Sequence, residues 1–213
     1  MSAPALRLSV YDISSGDRPV SITAEGTRFV YAGQGTITID AAGEEIALDP
    51  ANGAFIAGAL EVSGTGWLFE LAPADQPLLD DPALDIVLSH GIALDFDGPY
   101  MLRADRVASN PGAETPLHGH RGPGIRRLLT GRIRATIGDN IERIAAGQAW
   151  FETGRDWVIG RNISDGENVF VRVMVLPAEL KGGISSFVPA TPQEGRRPRA
   201  VNYRLYGEHD LAF

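Results

Sequence analysis

Short stretches in which hydrophobic and polar residues alternate are the main pattern along this chain. Residues 36–39 and 133–137 alternate with a period of two, which is typical of half-buried β-strands. Residues 169–176 form a longer, more continuous apolar run, as expected of a buried strand. Helical periodicity is sparse, and residues 82–88 are the best short candidate for a helix. The pattern predicts an almost entirely β protein.

The chain also contains a weak internal repeat. A glycine, an arginine and a second glycine recur at a constant offset of 98 (124 − 26, 126 − 28 and 131 − 33). The matching residues are Gly26 and Gly124, Arg28 and Arg126, and Gly33 and Gly131. Each copy then closes on an apolar strand, at residues 67–71 and 170–174. Self-similarity of this kind predicts two related β units, here two small barrels.

The repeat and the turn residues together suggest a domain organisation. We expect an N-terminal barrel at 1–75, a linker at 76–97, a C-terminal barrel at 98–190 and a tail at 191–213. The linker is suggested by the proline- and aspartate-rich residues 73–85 and by the turn at 95–99. Within the tail, residues 200–206 alternate and would suit an edge strand that covers a barrel. The alternative for this run is a mobile tail.

Composition limits the class of protein and of partner. The 213 residues include 25 glycines and 14 prolines, which suits a turn-rich all-β fold. The net charge of −8 disfavours a nucleic acid or an anionic membrane as partner, and the basic run 196–199 is interpreted as a solvated tail. With no cysteine, disulfides and thiolate ligands are excluded. The first ten residues lack the pattern of a secretory signal, which favours a cytoplasmic location.

The candidate chemistry lies in a histidine pair. His118 and His120 are two of only four histidines, and a strand-like run ending at Gly131 follows them. Alternate residues of a strand face the same side, so the two imidazoles can point at one place. Two such imidazoles make half of a metal site in a β-barrel.

This segment resembles the first sequence motif of the cupins. Gly112, a gap of five residues, His118, His120 and Gly131 follow the order of that motif. The glutamate that the cupin motif places seven residues before its last glycine is Gly124 here. The resemblance implies an all-β fold of two tandem cupin-type β-barrels, the double-stranded β-helix or jelly roll. It also implies that the chain is a bicupin and a homodimer.

The second cupin motif is partly present. Counted from Gly147, its proline position is Thr153 and its histidine position is Val158, whereas its asparagine is kept as Asn162. In the N-terminal copy, the offset of 98 places Val20 and Ile22 at the two histidine positions. The N-terminal barrel is therefore expected to be structural, providing packing and a dimer surface.

A metal in the C-terminal barrel would need donors beyond the two histidines, since catalytic sites have three protein ligands and an open position. Glu152 is the first choice for the third ligand, Glu114 the second and His209 the third. A set of two histidines and one carboxylate would suit one divalent ion, such as iron, manganese, zinc or nickel. No nucleotide cofactor is expected. The alternative is that the histidines only form hydrogen bonds in the barrel mouth.

Arg126 and Trp150 are the candidate substrate-binding residues. Arg126 shares strand parity with Gly124 and so points into the barrel, where a buried arginine needs an anion. That anion is either a substrate carboxylate or phosphate, or an acid of the chain such as Glu152. Arg28 at the equivalent place in the histidine-free repeat favours the internal pair. Trp150, with Phe151 and Trp157, would line an apolar pocket, the alternative being plain core.

Two functions are compatible with these residues. The first is a metal-dependent cupin enzyme of the oxygenase, isomerase or lyase type that acts on a small anionic organic molecule in the C-terminal barrel. The second is a metal-free bicupin that binds a small molecule or is purely structural. Loss of the motif glutamate and of the third histidine favours the second function. Retention of His118 and His120 favours the first.

Overall fold

A computed structural model describes residues 5–94 and 98–211 and shows an almost entirely antiparallel β protein, as predicted. The chain divides into two compact units, Met1–Ala93 and Leu94–Phe213. Among the described residues, no helix is long and apolar enough to cross a bilayer.

The N-terminal unit is built from one seven-stranded sheet. Its strands are β1 (Leu6–Ile22), β2 (Thr27–Ala32), β3 (Ile37–Ala41), β4 (Glu44–Leu48), β5 (Asn52–Ala57), β6 (Leu60–Pro73) and β7 (Leu84–Ile92). The sheet runs β4-β3-β6-β1-β7, and β2 pairs with both β5 and β6. Its interior is an apolar cluster that includes Val20 and Ile22, the positions equivalent to the histidine pair. Apolar side chains therefore occupy the positions where a metal site in this unit would need imidazoles.

The prediction of a helix at residues 82–88 is wrong. Strand β7 begins there and pairs antiparallel with β1, from Ile13↔Leu84 to Leu6↔Ile92. Leu84 packs into the apolar cluster, and the ladder of hydrogen bonds to β1 outweighs the weak local preference for a helix. The segment 76–97 therefore contains a strand of the first unit and is not simply a linker. Residues 95–97 of the expected turn at 95–99 lie outside the described residues.

The C-terminal unit consists of two five-stranded sheets. Its strands are β8 (Tyr100–Ser109), β9 (His118–His120), β10 (Gly124–Thr130), β11 (Arg132–Ile137), β12 (Asn140–Ala145), β13 (Ala149–Glu152), β14 (Val158–Asn162), β15 (Asn168–Pro177), β16 (Phe187–Pro189) and β17 (Asn202–Leu211). One sheet has the order β13-β10-β15-β8-β17 and the other β12-β11-β14-β9-β16. The strands expected around 36–39, 133–137 and 169–176 are found as β3, β11 and β15.

The segment between β15 and β17 crosses one end of this unit. It contains a short 3₁₀ helix (Ala178–Leu180), β16 and the α-helix α1 (Pro192–Arg196). Strand β16 pairs with the histidine strand β9, with Phe187 opposite His120 and Pro189 opposite His118. Strand β17 then pairs along β8 at the edge of its sheet. Both ends of the intervening segment are thus anchored in sheets.

Glu208 fixes β17 to the barrel through a charged contact. It lies 2.6 Å from the buried Arg103 guanidinium and accepts hydrogen bonds from the backbone N–H groups of Gly182 and Gly183. Burial raises the pKa of Glu208, but these two N–H groups and Arg103 outweigh it, so the pKa lies below its ordinary value. The stabilisation is complete above the unfolded pKa of the carboxyl and is lost as the pH falls through the lower folded value.

We expect Glu208→Gln to lower the free energy of unfolding by about 2 kcal/mol at pH 7, because Arg103 loses its carboxylate. Urea denaturation at pH 7 and at pH 3 measures this. The difference from the wild type should shrink as the pH falls through the lowered pKa of Glu208, because the wild-type carboxyl then loses its charge as well. Equal stabilities at pH 7 would show that the contact contributes nothing.

Candidate functional site

A cavity of about 270 Å³ lies between the two sheets of the C-terminal unit. Its apolar wall includes Val107, Ile133, Trp150, Val158, Phe170 and Phe187. The five first-choice site residues of the C-terminal barrel line this one cavity; they are His118, His120, Arg126, Trp150 and Glu152. The structure thus brings together residues that lie up to 34 positions apart in the chain (152 − 118).

His118 is held in a defined tautomer. Its Nδ1 lies 2.8 Å from the carbonyl oxygen of Pro116, and because a carbonyl only accepts, Nδ1 carries the hydrogen. Burial lowers the pKa of His118, so the imidazole is neutral at pH 7 and its Nε2 keeps a lone pair. The ring also stacks on Phe187, with centroids 4.6 Å apart. His118 therefore offers the cavity a fixed hydrogen-bond acceptor.

His120 is buried beside His118 and contacts Ser186 and Glu152. Its Nδ1 lies 3.3 Å from Ser186 Oγ, and its Nε2 lies 3.4 Å from Glu152 Oε2. Burial lowers the pKa of His120 well below its ordinary value, and the positive charge of Arg126 lowers it further. His120 is neutral at pH 7 and meets His118 edge to face at 4.9 Å.

Arg126 and Glu152 form a buried ion pair inside the cavity. Arg126 Nη2 lies 2.7 Å from Glu152 Oε2, and both side chains are at most 6% exposed. The pairing of β10 with β13, in which Gly124 faces Glu152 and Arg126 faces Trp150, brings the two together. Burial lowers the pKa of Arg126 to about 10, against the opposing effect of Glu152, so the guanidinium stays charged at pH 7. The structure thus shows the internal pair that was one of the two interpretations of Arg126.

The two carboxylate oxygens of Glu152 have different surroundings. Oε1 accepts a hydrogen bond of 2.9 Å from the indole Nε1 of Trp150. Oε2 accepts no hydrogen bond from any of the described residues, so its contact with Arg126 is an ion pair without hydrogen-bond alignment. Oε2 is itself buried and lies against Arg126 and His120.

A divalent metal ion does not fit the residues in this arrangement. Within 5–94 and 98–211, no group of three or more His, Asp or Glu side chains is placed to hold a metal. Glu152, the predicted third ligand, is already neutralised by Arg126, and a guanidinium 2.7 Å from the carboxylate repels a second cation. His118 and His120 alone are too few ligands for tight binding.

The other predicted donors lie elsewhere. Glu114 does not line the cavity and forms ion pairs of 3.7–3.9 Å with Arg134, Arg161 and Arg197. His209 lies on β17 opposite Leu102, also outside the cavity lining. Neither complements the histidine pair.

Of the three aromatic residues predicted to line a pocket, only Trp150 does so. Phe151 alternates with it on β13 and is not part of the cavity wall. Trp157 is 46% exposed and its ring packs over Gly119. Strand alternation explains the difference between the neighbouring residues 150 and 151.

The cupin asparagine that the sequence keeps has a structural role in this chain. The Asn162 amide donates to the carbonyl oxygens of Ser109 and Gly166, and its Oδ1 accepts from the backbone N–H of Ser164. The side chain is buried and holds the loop between β14 and β15 against β8.

We expect Asn162→Ala to lower the free energy of unfolding by about 2–3 kcal/mol, since three backbone groups lose their partner. Urea denaturation measures the loss. Ligand binding in the cavity should be unchanged for the folded protein, because Asn162 does not line it. A variant that is as stable as the wild type would contradict this role.

Three further arginines, which the sequence analysis did not identify as site residues, also line the cavity. Arg172 lies 2.6 Å from Asp105, and Arg103 pairs with Glu208. The signal for Arg172 was a charged residue in the middle of the apolar run 169–176. Arg199 belongs to the basic run 196–199; it is exposed, as expected of a solvated segment, and it also lines the cavity. The anchoring of the segment by β16 and β17 holds Arg199 over the cavity.

Comparison with known proteins identifies the fold. No protein-family model and no curated protein sequence matches this chain. Similar solved structures include AerE from Microcystis aeruginosa, with 14% identity and a TM-score of 0.56 over 80% of this chain and 87% of that chain. A cupin 2 conserved barrel domain protein from Leptotrichia buccalis has 12% identity and a TM-score of 0.50 over 82% and 86%. The Lactobacillus farciminis oxalate decarboxylase in its formate complex has 12% identity and a TM-score of 0.58 over 92% and 82%. At such identities the likeness is one of fold.

Proposed function

We propose that this chain, a bicupin by fold, binds a small anionic organic molecule in its C-terminal barrel without a metal ion. The observation that carries the proposal is the buried pair of Arg126 and Glu152, 2.7 Å apart, in a cavity of about 270 Å³. The guanidinium engages the carboxylate that a metal-dependent mechanism would need as a ligand. A metal-dependent oxygenase, isomerase or lyase would first have to separate this pair.

The charge of the cavity wall supports an anionic ligand. Four arginines line the cavity; they are Arg103, Arg126, Arg172 and Arg199. The first three are paired with carboxylates, and Arg199 has no such partner among the described residues, so one positive charge is left over. Charges act strongly in a site with apolar walls, because little water screens them. The remaining wall is largely aromatic and aliphatic, which suits the organic part of a ligand.

The direct test is a thermal-shift screen of small organic acids against the full chain in the presence of EDTA. At least one acid should raise the melting temperature, because a ligand that binds only the folded state stabilises it. The control is Ala135→Leu, which narrows the cavity at a buried wall position and should abolish the shift. The absence of any shift in EDTA, or a shift that requires added iron, manganese, zinc or nickel, would contradict the proposal.

The homodimer implied by the cupin resemblance stays a prediction, as does the cytoplasmic location. Sedimentation equilibrium of the full chain measures whether it forms a homodimer.

A further inference from the structure

We propose that the ligand of the C-terminal cavity is a single-ring aromatic hydroxycarboxylate, with its carboxylate on Arg199 and its hydroxyl directed at His118. The inference rests on the proposed function and names the class of ligand.

The charge balance points to one missing negative charge. Three of the lining arginines each have a carboxylate partner at 2.6–2.7 Å; the pairs are Arg103 and Glu208, Arg126 and Glu152, and Arg172 and Asp105. Arg199 instead contacts Ser185 Oγ at 3.0 Å and the ring of Phe187 at 4.2 Å. In the described part of the chain, no carboxylate forms an ion pair with it. A monoanionic ligand would restore neutrality.

Arg199 lies at the open end of the cavity. It is exposed and precedes β17, and its guanidinium covers Phe187, whose other neighbour in the stack is His118. A guanidinium can hold a carboxylate in a bidentate pair while its plane still stacks on an aromatic ring. Arg199 is therefore placed to receive the carboxylate of a ligand whose ring enters beside Phe187.

His118 offers the cavity an acceptor instead of a cation. It donates Nδ1–H to Pro116, so its Nε2 can only accept. A ligand that fills the cavity displaces water from this nitrogen, so it should bring a donor of its own.

The donor should be a neutral hydroxyl. An ammonium group would be repelled by Arg126, which lines the same cavity. A hydroxyl donates equally well and carries no charge.

The middle of the cavity selects the body of the ligand. Trp150, Phe170 and Phe187 contribute aromatic surface, and Ile133 and Val158 contribute aliphatic surface. The volume of about 270 Å³ is slightly below the roughly 300–1,000 Å³ of sites for drug-sized ligands, so a single ring fits better than a fused system. A flat ring stacks well on such walls.

The test is calorimetric titration of the full chain in EDTA with three single-ring probes of similar size. 4-Hydroxybenzoate has both polar groups, benzoate lacks the hydroxyl, and 4-hydroxybenzyl alcohol lacks the carboxylate. We expect 4-hydroxybenzoate to bind at least about tenfold more tightly than either of the others, since each lacks one of its two polar contacts.

Variants assign the carboxylate to its residue. Arg199→Gln should weaken 4-hydroxybenzoate about tenfold or more and leave 4-hydroxybenzyl alcohol unchanged. Arg196→Gln, in the same basic run but outside the cavity lining, is the matched control and should change neither. Both side chains are exposed, so both variants should fold.

Each other outcome overturns a stated part of the inference. Equal binding of benzoate and 4-hydroxybenzoate removes the donor requirement, and an unchanged affinity in Arg199→Gln removes the carboxylate site. If an aliphatic acid from the EDTA screen binds while 4-hydroxybenzoate does not, the ligand class is wrong and the proposed function stands. If no acid binds in EDTA, both fail.

Discussion

Glu152→Ala is expected to lower the free energy of unfolding of the C-terminal unit by about 3–5 kcal/mol. The substitution leaves Arg126, 1% exposed, as a buried charge without its carboxylate, and it removes the acceptor of the Trp150 indole. In the intact pair burial lowers the pKa of Arg126 to about 10, so the guanidinium is charged at pH 7 and is stabilised there by the carboxylate of Glu152. Urea denaturation followed by hydrogen exchange in the C-terminal unit measures the loss separately from the N-terminal unit.

The double variant Arg126→Met/Glu152→Leu is the control for this experiment. Replacing both members of a buried pair by apolar residues of similar size is often neutral, so most of the stability should return. EDTA should not reproduce the effect of Glu152→Ala. A loss below about 1 kcal/mol in the single variant, or an equal loss on chelation in the wild type, would contradict the structural pair.

Gly124→Glu is expected to destabilise the C-terminal unit by at least about 3 kcal/mol and to create no metal site. The substitution restores the glutamate of the cupin motif, but the backbone of β15 fills the space it needs. A Cβ atom at Gly124 would lie 2.5 Å from the carbonyl oxygen of Val173 and 2.6 Å from Met174 Cγ. Neither neighbour can move without disturbing the ladder between β10 and β15.

The control is Gly160→Ala, at a glycine of β14 that lies in the cavity wall. There a Cβ atom would meet Ile133 Cδ1 at 3.4 Å, an ordinary contact, so a change within about 1 kcal/mol is expected. Denaturation and metal titration of both variants measure the contrast. A stable Gly124→Glu protein that binds one metal ion would show that only the missing glutamate separates this barrel from a metal-binding cupin.

The fold could be predicted from sequence because its signals are local. Alternation identified β3 and β11, and the repeat indicated two β units. Strand β7 could not be predicted in the same way. Its nine residues gain their order from pairing with β1, some 70 residues earlier in the chain, and local preferences do not record such a partner.

Strand parity in the sequence predicts which side chains of the candidate site point into the barrel, but not which residues they pair with. Parity placed Arg126 inside the barrel, but its partner depends on register. In the N-terminal unit, Arg28 faces Glu70 across the sheet and pairs with it at 2.8 Å. At the corresponding position in the C-terminal unit, Arg126 faces Arg172, and its partner is Glu152 on the other neighbouring strand.

Arg199 shows where sequence reasoning about the site ends. Its neighbours Arg196 and Arg197 are exposed, and a run of basic residues beside a proline is typical of a solvated tail. Only the pairing of β16 with β9 and of β17 with β8 brings residue 199 over the cavity. Contacts of this kind, made through two separate strand pairings, leave no periodic signal in the sequence.

Metal content measured by mass spectrometry tests most directly whether the C-terminal barrel, in which Arg126 is paired with Glu152, is free of a metal ion. The full chain would be purified without a chelator or a histidine tag, reconstituted with iron, manganese, zinc and nickel in turn, and dialysed. His118→Ala/His120→Ala would be measured beside it. We predict far less than one metal ion per chain in the wild type and no difference from the double variant. Close to one metal ion per chain that disappears in the double variant would contradict the metal-free barrel.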